Sequence, residues 1–150
     1  MSQQAIKLFV VDDHKMYREF IIEILASKGF DIIGEAVNGR DFINAINPAQ
    51  LPDIVIVDWN MPEMDGLETA QWIKANHPAV RVIINTTEAE YYKLRKIKAS
   101  KIEGFVSKHH EFVNLIKALY AIQAGNTYYC SRQPKVQSFW QSRVQRFRQQ

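Results

Sequence analysis

Asp12, Asp13, Asp58, Thr86 and Lys108 are the residues of this 150-residue chain whose types and positions could do chemistry. Each closes a short apolar run. Ile6-Lys7-Leu8-Phe9-Val10-Val11 precedes the acid pair, Ile54-Val55-Ile56-Val57 precedes Asp58, Val80 to Asn85 precedes Thr86, and Gly104-Phe105-Val106-Ser107 precedes Lys108. Apolar runs without polar alternation fit strands buried on both faces. Parallel strands end on one edge of their sheet, the edge where open α/β sheets bind ligands. Three carboxylates, a hydroxyl and an ammonium would therefore converge. Carboxylates that close repel one another, and without compensation one is driven to take up a proton. A divalent cation resolves the repulsion. A donor set of oxygens, with no His or Cys cluster, suits magnesium (Mg2+), which keeps waters and commonly meets a phosphate oxygen. A carboxylate can itself be phosphorylated to an acyl phosphate, with Lys108 neutralising phosphoryl oxygens and the Thr86 hydroxyl bonding one of them. Singly, Asp58 could cap a turn, Asp12-Asp13 could cap a helix, and Lys108 could be solvated. Thr87 competes with Thr86. The joint placement at strand ends is what argues for a site.

Positioning these residues requires the elements between them. The spacing of Met16, Tyr17, Phe20, Ile21, Ile24 and Leu25 predicts a helix over 15–28, with Arg18, Glu19 and Glu23 on its outer side and Gly29 as its C-terminal cap. Asp31 to Ala36 reads as a second strand. A helix opens at Asn38-Gly39, buries Phe42, Ile43 and Ile46, and ends at Asn47-Pro48. Pro62 and Asp65-Gly66 form a loop after Asp58, and a helix over 66–76 with Leu67, Ala70 and Ile73 inward stops at Pro78. A more polar helix spans 88–99. Phe112, Leu115, Ile116, Leu119 and Ile122 mark a last helix, capped near Gly125. Five strands alternating with five helices predict a parallel sheet covered on both faces.

Composition narrows the class. With 47% hydrophobic residues the chain can bury one real core. No apolar run approaches the ~18 residues of a membrane span, and the polar start Met1-Ser2-Gln3-Gln4 lacks a secretory pattern. Cys130 is the only cysteine, so an intrachain disulfide is excluded and a reducing cytoplasm is the simplest compartment. The net charge of +3 is uneven. Five of the 19 bases and no acid lie after Ser131, leaving 14 bases against 16 acids before it, a net of −2. A slightly acidic body with a basic tail does not match a nucleic-acid-binding domain.

Val10-Val11-Asp12-Asp13-His14 resembles the acidic pair of the receiver domains of two-component response regulators. Asp58-Trp59-Asn60-Met61-Pro62-Glu63-Met64-Asp65-Gly66 resembles their phosphoacceptor loop, and Phe105-Val106-Ser107-Lys108 their switch aromatic and lysine. The spacing of Asp58, Thr86 and Lys108 is similar to that of the subfamily with a LuxR-type helix-turn-helix output. The resemblance implies a flavodoxin-like (CheY-like), doubly wound, five-stranded sheet of order 2-1-3-4-5, with the receiver over residues 5–128. It implies that Asp58 accepts a phosphoryl group from a sensor histidine kinase. Magnesium would be held by Asp13, Asp58 and the Asn60 backbone carbonyl, with Asp12 acting largely through water. Thr86 and Phe105 would move as the switch, reshaping the face of the fourth helix, fifth strand and fifth helix. Such a chain is no turnover enzyme: it phosphorylates and dephosphorylates only itself.

The chain departs from the family in places. Lys101-Ile102 replaces the frequent Gly-Ala before the last strand. His109 replaces the proline after the lysine, where the family has a cis peptide; a non-proline cis bond costs roughly 3–4 kcal/mol, and it is expected to form here too. Thr87 replaces a smaller residue. Asn60 with Glu88 resembles the pair of fast-hydrolysing chemotaxis-type receivers and implies a short-lived phosphoryl group.

Residues 129–150 form a basic, Gln-rich linker or tail. Val136, Phe139, Trp140, Val144 and Phe147 recur near helical spacing after Pro134, which suggests an amphipathic helix that docks on the receiver or supports a homodimer. Nineteen residues after Ser131 are too few for a helix-turn-helix, so DNA would be met only through an output domain not present in this chain. A stand-alone receiver acting through protein contacts is one alternative. A magnesium-dependent phosphatase with Asp58 as transient nucleophile is another, although neither a lid nor an added general acid is evident.

Overall fold

The computed structural model describes residues 4–87, 91–109 and 112–130. Among these, strands β1 (Lys7–Val11), β2 (Asp31–Ala36), β3 (Ile54–Val57), β4 (Arg81–Thr86), β5 (Gly104–Ser107) and β6 (Tyr128–Tyr129) form one sheet of order β2-β1-β3-β4-β5-β6. Every neighbouring pair is parallel. Helices α1 (Lys15–Ser27), α2 (Gly39–Ala45), α3 (Gly66–Asn76), α4 (Tyr91–Ala99) and α5 (Phe112–Gln123) fill the connections. This is the doubly wound, CheY-like order expected from the sequence, with one strand more.

Alternation along the strands splits the core into two layers. Leu8, Val10, Ile54, Ile56, Ile83 and Val106 face one side, where Ile21 and Leu25 of α1 and Leu115, Leu119 and Ile122 of α5 cover them. Phe9, Val11, Val55, Val57, Val82, Ile84 and Phe105 face the other, under Phe42 of α2, Ile73 of α3 and Ile97 of α4. Each fully buried Leu, Ile or Val contributes about 1.5–3 kcal/mol relative to exposure. The sheet is thus apolar on both faces and leaves only its ends for polar groups. Local chemistry sets the helix starts: the Asn38 side chain accepts from the Asp41 N–H at 2.8 Å, and that of Asp65 from the Glu68 N–H at 2.8 Å.

Three features differ from the sequence reading. In α1, Met16 and Phe20 are exposed while Arg18, expected outward, is buried. Its guanidinium donates to the Asp12 carbonyl at 2.6 Å and to Glu35 at 3.2 Å, so the charged end of a buried side chain is met by polar partners. β6 extends the five expected strands, with the Cys130 N–H donating to the Phe105 carbonyl at 2.8 Å. No peptide bond among the described residues is cis, so Lys108–His109 is trans; His109 lacks the tertiary amide that makes the cis form cheap at proline. Lys101, where the family favours glycine, takes the left-handed conformation with φ 57°. The amphipathic helix expected after Pro134 and Glu88 both lie outside the described residues.

Candidate functional site

The strand ladders carry the acids to one edge. The Asp12 N–H donates to the Ala36 carbonyl at 3.0 Å, and the Asp58 N–H to the Val11 carbonyl at 2.9 Å. On the other flank the Lys108 N–H donates to the Thr86 carbonyl at 2.8 Å. These bonds continue the parallel pairing one residue past the strands, which brings Asp12, Asp58 and, on the far side of β4, Lys108 to the same edge. The loop after Asp58 folds back onto it. The Gly66 N–H reaches the Trp59 carbonyl at 2.9 Å, and a Cβ at Gly66 would overlap the Asp58 carbonyl oxygen. Glycine is therefore required there by close approach, not by its dihedral freedom.

The side chains converge as their strand-end positions demand. Lys108 Nζ lies 2.7 Å from Asp12 Oδ2 and 3.4 Å from Asp58 Oδ2, and all three side chains are nearly inaccessible to solvent. The same Nζ stands 4.2 Å above the Tyr17 ring. Asp13 is more open. Burial pushes the Asp58 carboxyl above its ordinary range; Lys108 opposes the shift, and the negative charges of Asp12 and Asp13 add to it. The repulsion inferred from three acids at one edge is thus present, and a single lysine offsets only part of it. Burial also raises the Tyr17 phenol to about 12, against the Asn85 amide that donates to its oxygen at 2.6 Å.

Thr86 is fully buried at the end of β4 whereas Thr87 is exposed. Phe105 is buried in β5 beside Ile84, and Asn60 is exposed two residues past Asp58. Sequence reasoning stopped at the acids and missed His14. Its Nδ1 stands 3.5 Å from Asp12 Oδ1, 3.4 Å from Asp13 Oδ1 and 3.9 Å from Asp58 Oδ2. One donor atom from each of Asp12, Asp13, His14 and Asp58 falls within 4.8 Å of all the others. The signal was adjacency, since His14 directly follows the acid pair.

A set of this kind, buried carboxylates with their charge incompletely balanced, fits a divalent cation. The family model described as response regulator receiver domain matches residues 8–120. The chain is 32% identical over 125 residues to the transcription regulator BvgA of Bordetella pertussis (strain Tohama I), covering 83% of this chain and 59% of BvgA. It is 29% identical to the response regulator GacA of Pseudomonas syringae pv. syringae, covering 82% of this chain and 58% of GacA. The chain thus spans less than two thirds of these curated relatives. Among solved structures, a LuxR-family two-component response regulator from Aurantimonas sp. SI85-9A1 superimposes with a TM-score of 0.78 at 25% identity, covering 93% of this chain and 99% of that one. The isolated receiver domain of RcsB from Salmonella enterica serovar Typhimurium gives 0.76 at 26%, covering 83% and 93%. The chain belongs to the response regulator receiver domain family, in its LuxR-type branch.

Proposed function

We propose that this receiver takes a phosphoryl group on the Asp58 carboxylate from a sensor histidine kinase and passes the change to an output that controls transcription. The observation that carries the reading is the buried Asp58, held above its ordinary ionisation range at a sheet edge with Lys108 Nζ 3.4 Å away. An Asp58 oxygen attacks the phosphorus of the donor's phosphohistidine. The P–N bond breaks as the O–P bond forms, and the imidazole leaves with the electron pair. Lys108 meets a phosphoryl oxygen, and the buried Thr86 hydroxyl bonds another. Asp12, Asp13, Asp58 and the Asn60 carbonyl would hold magnesium, which supplies charge compensation for the acids and the phosphoryl oxygens when bound. Water later cleaves the acyl phosphate and restores the carboxylate, so the chain modifies only itself.

Thr86 and Phe105 then bias the α4-β5-α5 face between two states. The domain division proposed with it is a receiver over residues 5–128 and a basic tail over 129–150; β6 carries the receiver's sheet through Tyr129, and the Cys130 N–H bonds the Phe105 carbonyl, which moves the start of the tail past Cys130. BvgA is a transcription regulator, and dimers of RcsB have been seen on DNA. A homodimer, DNA contact through an output domain and work in the cytoplasm beside a kinase are parts of the same proposal. No helix among the described residues is long and apolar enough to cross a membrane. The test is incubation of the full chain with acetyl phosphate and Mg2+, followed by intact mass. One phosphoryl group on wild type and none on Asp58→Asn is the expected result. Absence of uptake by wild type, or equal uptake by the variant, overturns the reading.

A further inference from the structure

We propose that His14 Nδ1 is an additional ligand of the cation site, and that it biases the site toward nitrogen-accepting transition-metal dications over magnesium. The inference rests on the cation site of the proposed function. Ligand atoms held about 2.1 Å from one ion in an octahedral arrangement stand about 3.0 Å apart when adjacent and about 4.2 Å apart when opposed. His14 Nδ1 falls at 3.4, 3.5 and 3.9 Å from oxygens of Asp13, Asp12 and Asp58. All three distances lie between the adjacent and the opposed spacing, so small side-chain shifts bring His14 Nδ1 to ligand-to-ligand distance from the three acids.

The oxygens divide at Asp12, while Asp58 Oδ2 faces both Lys108 at 3.4 Å and His14 at 3.9 Å. Lys108 takes Asp12 Oδ2 at 2.7 Å and leaves Asp12 Oδ1 on the side of His14, together with Asp13 Oδ1. The backbone holds His14 beside the acids. The His14 N–H donates to Asp12 Oδ1 at 2.9 Å, and its carbonyl accepts from the Arg18 N–H at 2.9 Å at the start of α1. Although His14 is the N-cap residue of α1, its side chain makes no capping hydrogen bond. The imidazole is 69% exposed, so it can adjust without disturbing the core. Magnesium gains little from an imidazole, whereas cobalt(II), nickel(II) and zinc(II) gain much.

Isothermal titration of the full chain with cobalt(II) and with Mg2+ tests this, alongside His14→Ala and Asp13→Asn. Wild type should bind cobalt(II) more tightly, and His14→Ala should lose about tenfold or more of cobalt(II) affinity with Mg2+ affinity nearly unchanged. Proton NMR of the cobalt(II) form should show a strongly shifted exchangeable imidazole N–H that is lost in His14→Ala. Asp13→Asn should weaken both metals. If Asp13→Asn weakens both while His14→Ala changes neither, or changes both equally without altering the shifted proton, the His14 ligand is overturned and the cation site stands. If Asp13→Asn changes neither metal, the cation site itself fails. Circular dichroism of each variant confirms that it folds.

Discussion

Replacing Lys108 with methionine keeps an apolar stem over Tyr17 and removes the ammonium set between two buried acids. At an effective dielectric constant of about 20, unit charges 2.7 and 3.4 Å apart attract by about 6 and about 5 kcal/mol. Desolvating lysine offsets much of this, so the net loss belongs to the range for breaking a buried pair, about 3–5 kcal/mol. The loss depends on pH in a definite direction. Burial holds the Asp58 pKa above its ordinary value, with Lys108 the main opposing influence. Without Lys108 it rises further. A carboxyl with a raised folded-state pKa binds protons more readily in the folded than in the unfolded chain, so stability falls as pH rises through that pKa. Lys108→Met should therefore be penalised more near pH 7.5 than near pH 5. Urea denaturation in EDTA at both pH values, with and without Asp58→Asn, measures this. The variant should cost less in the Asp58→Asn background, with a coupling of at least ~1 kcal/mol. A loss below ~1 kcal/mol near pH 7.5, or an equal loss in both backgrounds, would refute the reasoning.

Three further outcomes follow from the geometry. Asp58→Asn alone should stabilise the metal-free fold at neutral pH, and the gain should vanish as pH falls through the raised Asp58 pKa; thermal melts in EDTA would show it, and destabilisation at neutral pH would contradict it. Gly66→Ala should cost about 1–3 kcal/mol because its methyl overlaps backbone at Asp58, and phosphoryl uptake from acetyl phosphate should fall with it; an unchanged melting temperature would count against the close approach. Lys101→Gly should stabilise by about 1 kcal/mol, since Lys101 holds a left-handed conformation, read as a higher urea midpoint at unchanged slope.

The strands at the centre of the sheet were legible because burial on both faces writes an unbroken apolar run, as in Ile54–Val57. The acids and Lys108 were legible because each closes such a run. The α1 face was misread because periodicity treats arginine as a surface residue, whereas Arg18 finds the Asp12 carbonyl and Glu35 from a buried position. Two residues are too few for alternation to reveal β6. Side-chain hydrogen bonds across 68 positions, such as Asn85 to Tyr17, leave no local trace. His14 was visible in the chain but not its orientation, which depends on how α1 begins.

β6 also changes where the polypeptide departs. α5 runs down the sheet from the edge that holds Asp58, so a chain leaving at Gly125 would depart from the opposite end. Instead, Tyr128 pairs with Gly104, Tyr129 with Phe105, and the Cys130 N–H with the Phe105 carbonyl. At about 3.3 Å per residue, these three residues carry the exit point roughly 10 Å back up the sheet. Cys130 is thus tethered to the backbone of Phe105, partway along β5 toward the rim that carries Lys108.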